Sequence, residues 1–241
     1  MRRLGLGLLV AALALAGALS ALALGQGPDV VPIRISATAK VTPDRAGTPS
    51  HPQGVKVDVK ANIFIPADYD PPLVQTVDVW FPHGGLYNGG KFPACDQALL
   101  ARRGVGVCPK TSIMGHGRGV ARADTVPTYP QITVINGGAH KVYFYTVLRV
   151  PARVAEPVVA TITKLSGNPR WSYKVHAKIP RDLQIVAGIP LRLDSLHVSA
   201  GRGDWLATTG CPADHRWRYH AEATFNSGQI VKYDGSVRCR S

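Results

Sequence analysis

His83-Gly84-Gly85 is the first stretch whose residue types could do chemistry, because it follows an expected strand at Val77 to Phe81. A His-Gly-Gly turn after a strand is how many esterases begin an oxyanion hole, with backbone N–H groups aimed at developing negative charge. The strained Gly-x-Ser-x-Gly elbow that completes such a hydrolase does not occur, nor do alternating helices, so His83 reads first as an exposed turn residue. Ser112 could serve as a nucleophile only beside a base, and no nearby base is identifiable. The glycines after it, Gly115, Gly117 and Gly119, miss the last position of a phosphate-cradling Gly-x-Gly-x-x-Gly and read as sites of tight turning or close strand packing. None of the eight histidines forms His-Glu-x-x-His. His215 and His220 differ by an odd number, which puts them on opposite faces of a strand, so no metal and no cofactor is expected. Arg202-Gly203-Asp204 reads as a surface turn.

Cations form the other chemical signal. The chain has 28 Lys and Arg against 15 Asp and Glu, a formal net charge of +13. Three segments alternate with period two and carry their cations on the polar side: Lys56 and Lys60; Lys174, His176 and Lys178; Arg216, Arg218 and His220. If those strands share a sheet they make one positive surface, suited to an anionic cell-envelope polymer or a membrane surface. Trp217 and Tyr219 lie between the arginines but alternate toward the core, which removes the stacking platform that single-stranded nucleic acid needs. No specific nucleic acid is expected. Net charge also serves solubility alone.

The elements that must position these residues read almost entirely as strands. Val55, Val57, Val59, Ala61, Ile63 and Ile65 fall on one face, with Lys56, Asp58, Lys60 and Asn62 on the other. Trp171, Tyr173, Val175, Ala177 and Ile179 repeat the pattern, and so do Trp217, Tyr219, Ala221, Ala223 and Phe225. Continuous β-branched and aromatic runs at 132–135, 141–150 and 157–162 read as central strands covered on both faces. Turn signals stand at Asn136-Gly137-Gly138, Ser166-Gly167-Asn168, Asn226-Ser227-Gly228 and Asp234-Gly235. The 25 Gly and 19 Pro argue against long helices. One short helix is credible, capped by Asp96, with Arg102 and Arg103 in its last turn and Gly104 ending it. A first strand near Val30 to Ala39 precedes a polar loop near 42–54. The expected fold is all-β, an antiparallel β-sandwich with Greek-key or jelly-roll-like connections and one short helix in a disulfide-closed loop.

Four cysteines allow three pairings. Proximity favours Cys95 with Cys108 and Cys211 with Cys239, each closure contributing about 3 to 4 kcal/mol in the chain-entropy model. The absence of Cys-x-x-Cys disfavours redox or zinc roles. The amino end fits an oxidising destination: Arg2 and Arg3 precede an apolar run from Leu4 to Leu24, and Ala21-Leu22-Ala23 and Ala23-Leu24-Gly25 are small-residue cleavage patterns. Residues 1–25 are expected to be a signal peptide and 26–241 a single domain. A run of about 20 apolar residues is also long enough to be retained as an anchor. The expected location is secreted or extracytoplasmic.

Phe92-Pro93-Ala94-Cys95, Cys108-Pro109-Lys110-Thr111-Ser112 and Gly115-His116-Gly117 occur in that order, followed by Cys211-Pro212, Tyr233-Asp234-Gly235 and Cys239. This set resembles a group of secreted, β-rich actinobacterial proteins of unassigned function that carry a Cys-Pro-x-x-Ser-x-x-Gly-x-Gly element. The resemblance covers most of the chain past the leader. It implies export, two disulfides and a β-rich fold, and it carries no catalytic residue over. The function expected is therefore a non-enzymatic cell-envelope or extracellular module with affinity for anionic polymers. A secreted hydrolase built on His83-Gly84-Gly85 is the alternative.

Overall fold

The computed structural model describes residues 30–66, 69–70 and 72–241. The expected signal peptide lies outside the described residues. In chain order the elements are β1 (Arg34–Thr42), β2 (Gln53–Gly54), β3 (Lys56–Phe64), β4 (Val74–Pro82), β5 (Gly85–Tyr87), helix α1 (Gln97–Arg103), β6 (Ile113–Ala123), β7 (Val126–Thr128) and β8 (Gln131–Asn136). They continue with β9 (Lys141–Leu148), β10 (Val154–Lys164), β11 (Trp171–Lys178), helix α2 (Arg181–Gln184), β12 (Ile185–Val186), β13 (Ile189–Ala200), β14 (Leu206–Thr208), β15 (Arg216–Phe225) and β16 (Ile230–Arg238). The protein is all-β and antiparallel, and residues 32–241 form one compact unit.

Eleven strands follow one another in a single sheet, in the order β1-β3-β13-β6-β8-β9-β10-β11-β4-β15-β16. The sheet folds back on itself, so that Met114, Val134, Val198 and Ala200 on one side meet Ala160, Ile162, Tyr173, Val175 and Ala177 on the other. The result is a two-layered sandwich made from one sheet. Each end of the enclosed core has its own plug. Leu183 of α2 and Val186 of β12 pack on Leu148 and Val158 at one end. At the other, Trp205, Tyr87 and Phe92 pack on Val142 and Ile162 beside a small sheet of β2, β14 and β5. The polar 42–54 loop thus ends in β2.

The continuous apolar runs are covered on both faces, as their composition requires. Their inner side chains fill the core, while Ile135, Tyr143 and Tyr145 face outward under α1 and the Cys95–Cys108 loop. Asp96 accepts from the Leu99 amide at 2.8 Å, and Gly104 ends the helix with φ +76°. Leu100, the helix residue in this contact, is fully buried, which stabilises the clamp by about 1.5–3 kcal/mol. Both proximity pairings form: Cys95–Cys108 and Cys211–Cys239 are disulfides.

Asn136 has a larger role than its turn position indicated. It is fully buried, and its Oδ1 accepts from Trp205 Nε1 at 3.0 Å and from the Tyr87 hydroxyl at 3.1 Å. Its Nδ2 donates to the carbonyls of Gly89, Phe92 and Pro93 at 2.9–3.1 Å. One amide side chain therefore ties the β8–β9 turn to the rim plug and to the start of the disulfide loop.

Four expectations are corrected. The first strand begins at Arg34 and ends at Thr42, so it sits later than Val30 to Ala39. A second helix, α2, exists, with only four residues. Asp234-Gly235 lies inside β16, where Gly235 is opposite Tyr219. A Cβ on Gly235 would stand 2.2 Å from Tyr219 Cζ, so this glycine provides close approach within a strand and makes no turn. Trp171 leaves the inner face because a bulge interrupts the β11–β4 register between Trp171 and Tyr173.

Candidate anion-binding surface

Register explains which cations meet. β11, β4 and β15 are neighbours, so Lys174 faces Trp80 and Trp80 faces His220, while His176 faces Asp78 and Asp78 faces Glu222. β16 adds Asp234 opposite His220 and Lys232 opposite Glu222. All these side chains lie on the outer face of the sheet. Lys56 and Lys60 lie beyond β16 and β1, on β3. The three predicted segments do share a sheet.

They do not make one positive surface. β4 interposes Asp78, which lies 3.0 Å from Lys174 Nζ and 2.8 Å from His176 Nδ1. His220 stands between two carboxylates, 2.9 Å from Asp234 and 3.2 Å from Glu222, and Glu222 also takes Lys232 at 2.9 Å. The Lys232 hydrogen bond, and next that of His220, hold the Glu222 carboxyl below the usual range. The displaced Trp171 joins this group, with its ring centroid 6.4 Å from that of His220, which is in turn 5.2 Å from Trp80. Arg170 covers Trp171 at 4.8 Å and Lys174 covers Trp80 at 4.7 Å. Cations and rings thus alternate in one ladder whose charges are internally matched. On β3, Asp58 pairs with His197 at 2.8 Å between Lys56 and Lys60, and that bond holds its carboxyl low. Lys56, Lys60 and Lys178 form no ion pair among the described residues.

The excess of positive charge is elsewhere, where β16 returns to β1. Arg216 is directly opposite Arg238, and both are exposed. Like charges in a facing pair cost about 0.2–1 kcal/mol. Arg216 reaches Ser236 Oγ at 3.3 Å instead of a carboxylate. Arg218 donates from Nη2 and Nε to one oxygen, Asp214 Oδ2, at 2.8 and 3.1 Å. Beyond Arg238, Arg240 pairs with Asp44, and its backbone bridges Arg45. Five arginines at positions 45, 216, 218, 238 and 240 therefore gather around the Cys211–Cys239 disulfide against two carboxylates. Both carboxylates are held below their ordinary range by the arginine that hydrogen-bonds each, Arg240 on Asp44 and Arg218 on Asp214.

Arg216 and Arg218 were legible as members of a cationic strand face; Arg45, Arg238 and Arg240 were missed. A signal existed. A turn centred on Ser227 sets Thr224 opposite Ile230 and, by counting back, Arg216 opposite Arg238. Reading Asp234-Gly235 as a turn broke that count.

Ser112 is fully buried, and its hydroxyl donates to the Pro109 carbonyl at 2.7 Å. His83 is exposed after β4, 2.9 Å from the Asn168 carbonyl, and the Gly84 carbonyl accepts from the Thr209 amide at 2.7 Å. The two residues belong to separate turns with separate partners. Gly115 and Gly117 lie in β6 against β13, where a Cβ would meet the Ser199 and His197 carbonyls at 2.0 and 2.7 Å. They serve close strand packing. Among the described residues no three His, Cys, Asp or Glu side chains gather as a metal site, and no helix is long and apolar enough to cross a membrane. No family model, curated protein or solved structure matches the chain.

Proposed function

We propose that this protein is an exported, non-enzymatic module that holds an acidic polymer of the cell envelope through its arginine cluster. The observation that carries the reading is the facing pair Arg216–Arg238, flanked by Arg45, Arg218 and Arg240, of which, among the described residues, Arg218 and Arg240 are ion-paired, to Asp214 and Asp44. Guanidinium groups bind phosphate and carboxylate oxygens in a fork, and a cluster with surplus donors offers several such contacts at once. The strand ladder around His220 supplies less, since its cations already face Asp78, Glu222 and Asp234. The two disulfides support an oxidising destination, in line with the apolar leader. An anionic membrane surface offers the same oxygen chemistry.

The test compares two double reversals with equal change in net charge: Arg216→Glu with Arg238→Glu, and Arg102→Glu with Arg103→Glu on the far clamp helix. Binding to immobilised polyphosphate, and separately to phosphatidylglycerol vesicles, is measured between about 50 and 200 mM salt. The cluster variant loses affinity and flattens the salt dependence, while the helix variant keeps both. Equal loss in the two variants means diffuse attraction and removes the localised site. Preference for vesicles over polyphosphate moves the ligand from polymer to membrane surface.

A further inference from the structure

β1 and β16 are the two ends of the strand path, and no backbone ladder joins them. Neighbours in the path alternate in direction, and because eleven is odd the first and last strands run parallel. Among the described residues, the Arg45–Arg240 bridge at one extremity is the only backbone pairing along this seam. Elsewhere the seam is latched by a side chain: the Tyr233 hydroxyl crosses from β16 to the Ala37 carbonyl. A groove of about 520 Å³ follows the seam, lined by Ala37, Ala39, Arg170, Arg218, Tyr219 and Tyr233, among others.

The Ala37 carbonyl faces the seam. In an extended strand the N–H and C=O of one residue point to the same side, and every second residue repeats that direction. Ala37 and Ala39 therefore both turn their amides toward β16, while the residues between them bond β3. We propose that the seam accepts an extended acidic peptide by strand addition. A strand entering between parallel neighbours runs antiparallel to both. β1 and β16 approach within 8 Å (Cα to Cα) along the seam, less than the about 9.5 Å that two strand spacings need, so the guest enters as Tyr233 releases the Ala37 carbonyl and β16 draws back; it then pairs with the β1 edge and takes over that acceptor. Charge sets the chemistry of its outward side chains: Arg34 and Lys40 flank the seam from β1 and Arg238 flanks it from β16, while Lys232 is already paired with Glu222 and Asp234 with His220. Alternate residues of the guest then carry carboxylates outward and apolar groups inward over Tyr219 and Tyr233. This goes beyond charge attraction, since the register of the backbone matters as much as the sign of the side chains.

The probe is a fluorescent (Glu-Val)5 peptide, long enough to match the nine residues of each edge strand. Its comparators are the same peptide N-methylated at every second amide, and (Lys-Val)5. Anisotropy titration gives saturable binding of the first, with affinity lower by at least about tenfold for the N-methylated copy and for (Lys-Val)5. Ala39→Pro, which removes a seam-facing donor without touching the β3 ladder, weakens the peptide by about tenfold and leaves polyphosphate binding unchanged. Hydrogen exchange on the unmutated protein provides a reading independent of that variant's folding. The Ala37 and Ala39 amides exchange quickly in the free chain and at least about tenfold more slowly with saturating peptide. No binding by (Glu-Val)5, equal binding of the N-methylated copy, or unchanged exchange at Ala37 and Ala39 overturns the proposal. Concentration-dependent protection of those amides without peptide overturns it in favour of a second copy of this chain.

Discussion

Replacing Asn136 tests whether one buried amide holds the rim of this fold together. In Asn136→Ala the indole N–H of Trp205, a residue only 2% exposed, loses its acceptor, a cost of about 1–3 kcal/mol. The Phe92 and Pro93 carbonyls lose their donor at about 1 kcal/mol each. Tyr87 is spared, because its hydroxyl also reaches the Gly138 and Lys141 carbonyls at 2.7 and 2.9 Å. The total is about 3–5 kcal/mol, which in a domain of this size lowers Tm by about 6–20 °C. Asn136→Asp keeps the shape and adds a signature. A carboxylate there faces three carbonyl oxygens without solvent, so its pKa rises in the folded state. The folded state then holds its proton more tightly than the unfolded chain, whose pKa is about 3.9, and stability is greatest below that value and falls as pH climbs toward the folded pKa. Urea unfolding of both variants from about pH 3 to pH 7, with disulfides intact, measures both effects. A loss under about 1 kcal/mol for Asn136→Ala, or an Asp variant that gains stability with rising pH, refutes the role given to this side chain.

Two further outcomes follow from the packing. Burial raises the phenol pKa of Tyr87 and Tyr143 and pushes Tyr219 up to about 12, so these groups favour the folded state until pH passes about 10 and oppose it above. Ultraviolet titration of the native protein should leave at least Tyr87 and Tyr219 of the eight tyrosines protonated at about pH 11, whereas in denaturant all eight ionise together near 10; a single native transition near 10 would contradict their burial. Gly235→Ala should destabilise by about 1–3 kcal/mol in a thermal melt, because the added methyl drives into the Tyr219 ring; the same change costs much less in a Tyr219→Ala background if the overlap is its cause.

Legibility followed how local each signal was. The clamp helix was readable because Asp96, Arg102, Arg103 and Gly104 act within one turn of it. The doubly covered strands were readable because covering both faces removes polar alternation. β13 was not readable, because the register shift between Leu193 and Ser195 moves the apolar positions from odd to even numbers partway along the strand. Trp171 was misplaced for the same reason, since a bulge inverts the face that counting by twos assigns. Among the site residues, Lys174, His176 and His220 were found as cations, but their neutralisation depends on β4 entering between β11 and β15 from about a hundred residues away in the chain. Pattern along one strand carries no information about that neighbour. The arginine cluster combines a turn-determined register, which counting reaches, with a seam between the first and last strands, which it does not.

Parallel edge strands also give the domain a polarity. Arg34 begins β1 at one rim, and Arg238 ends β16 at the other, about 30 Å away along strands of this length. The amino end of β1 therefore lies at the rim opposite Arg238 and the Cys211–Cys239 disulfide, so entry into the sheet and the arginine cluster occupy opposite ends of the strands.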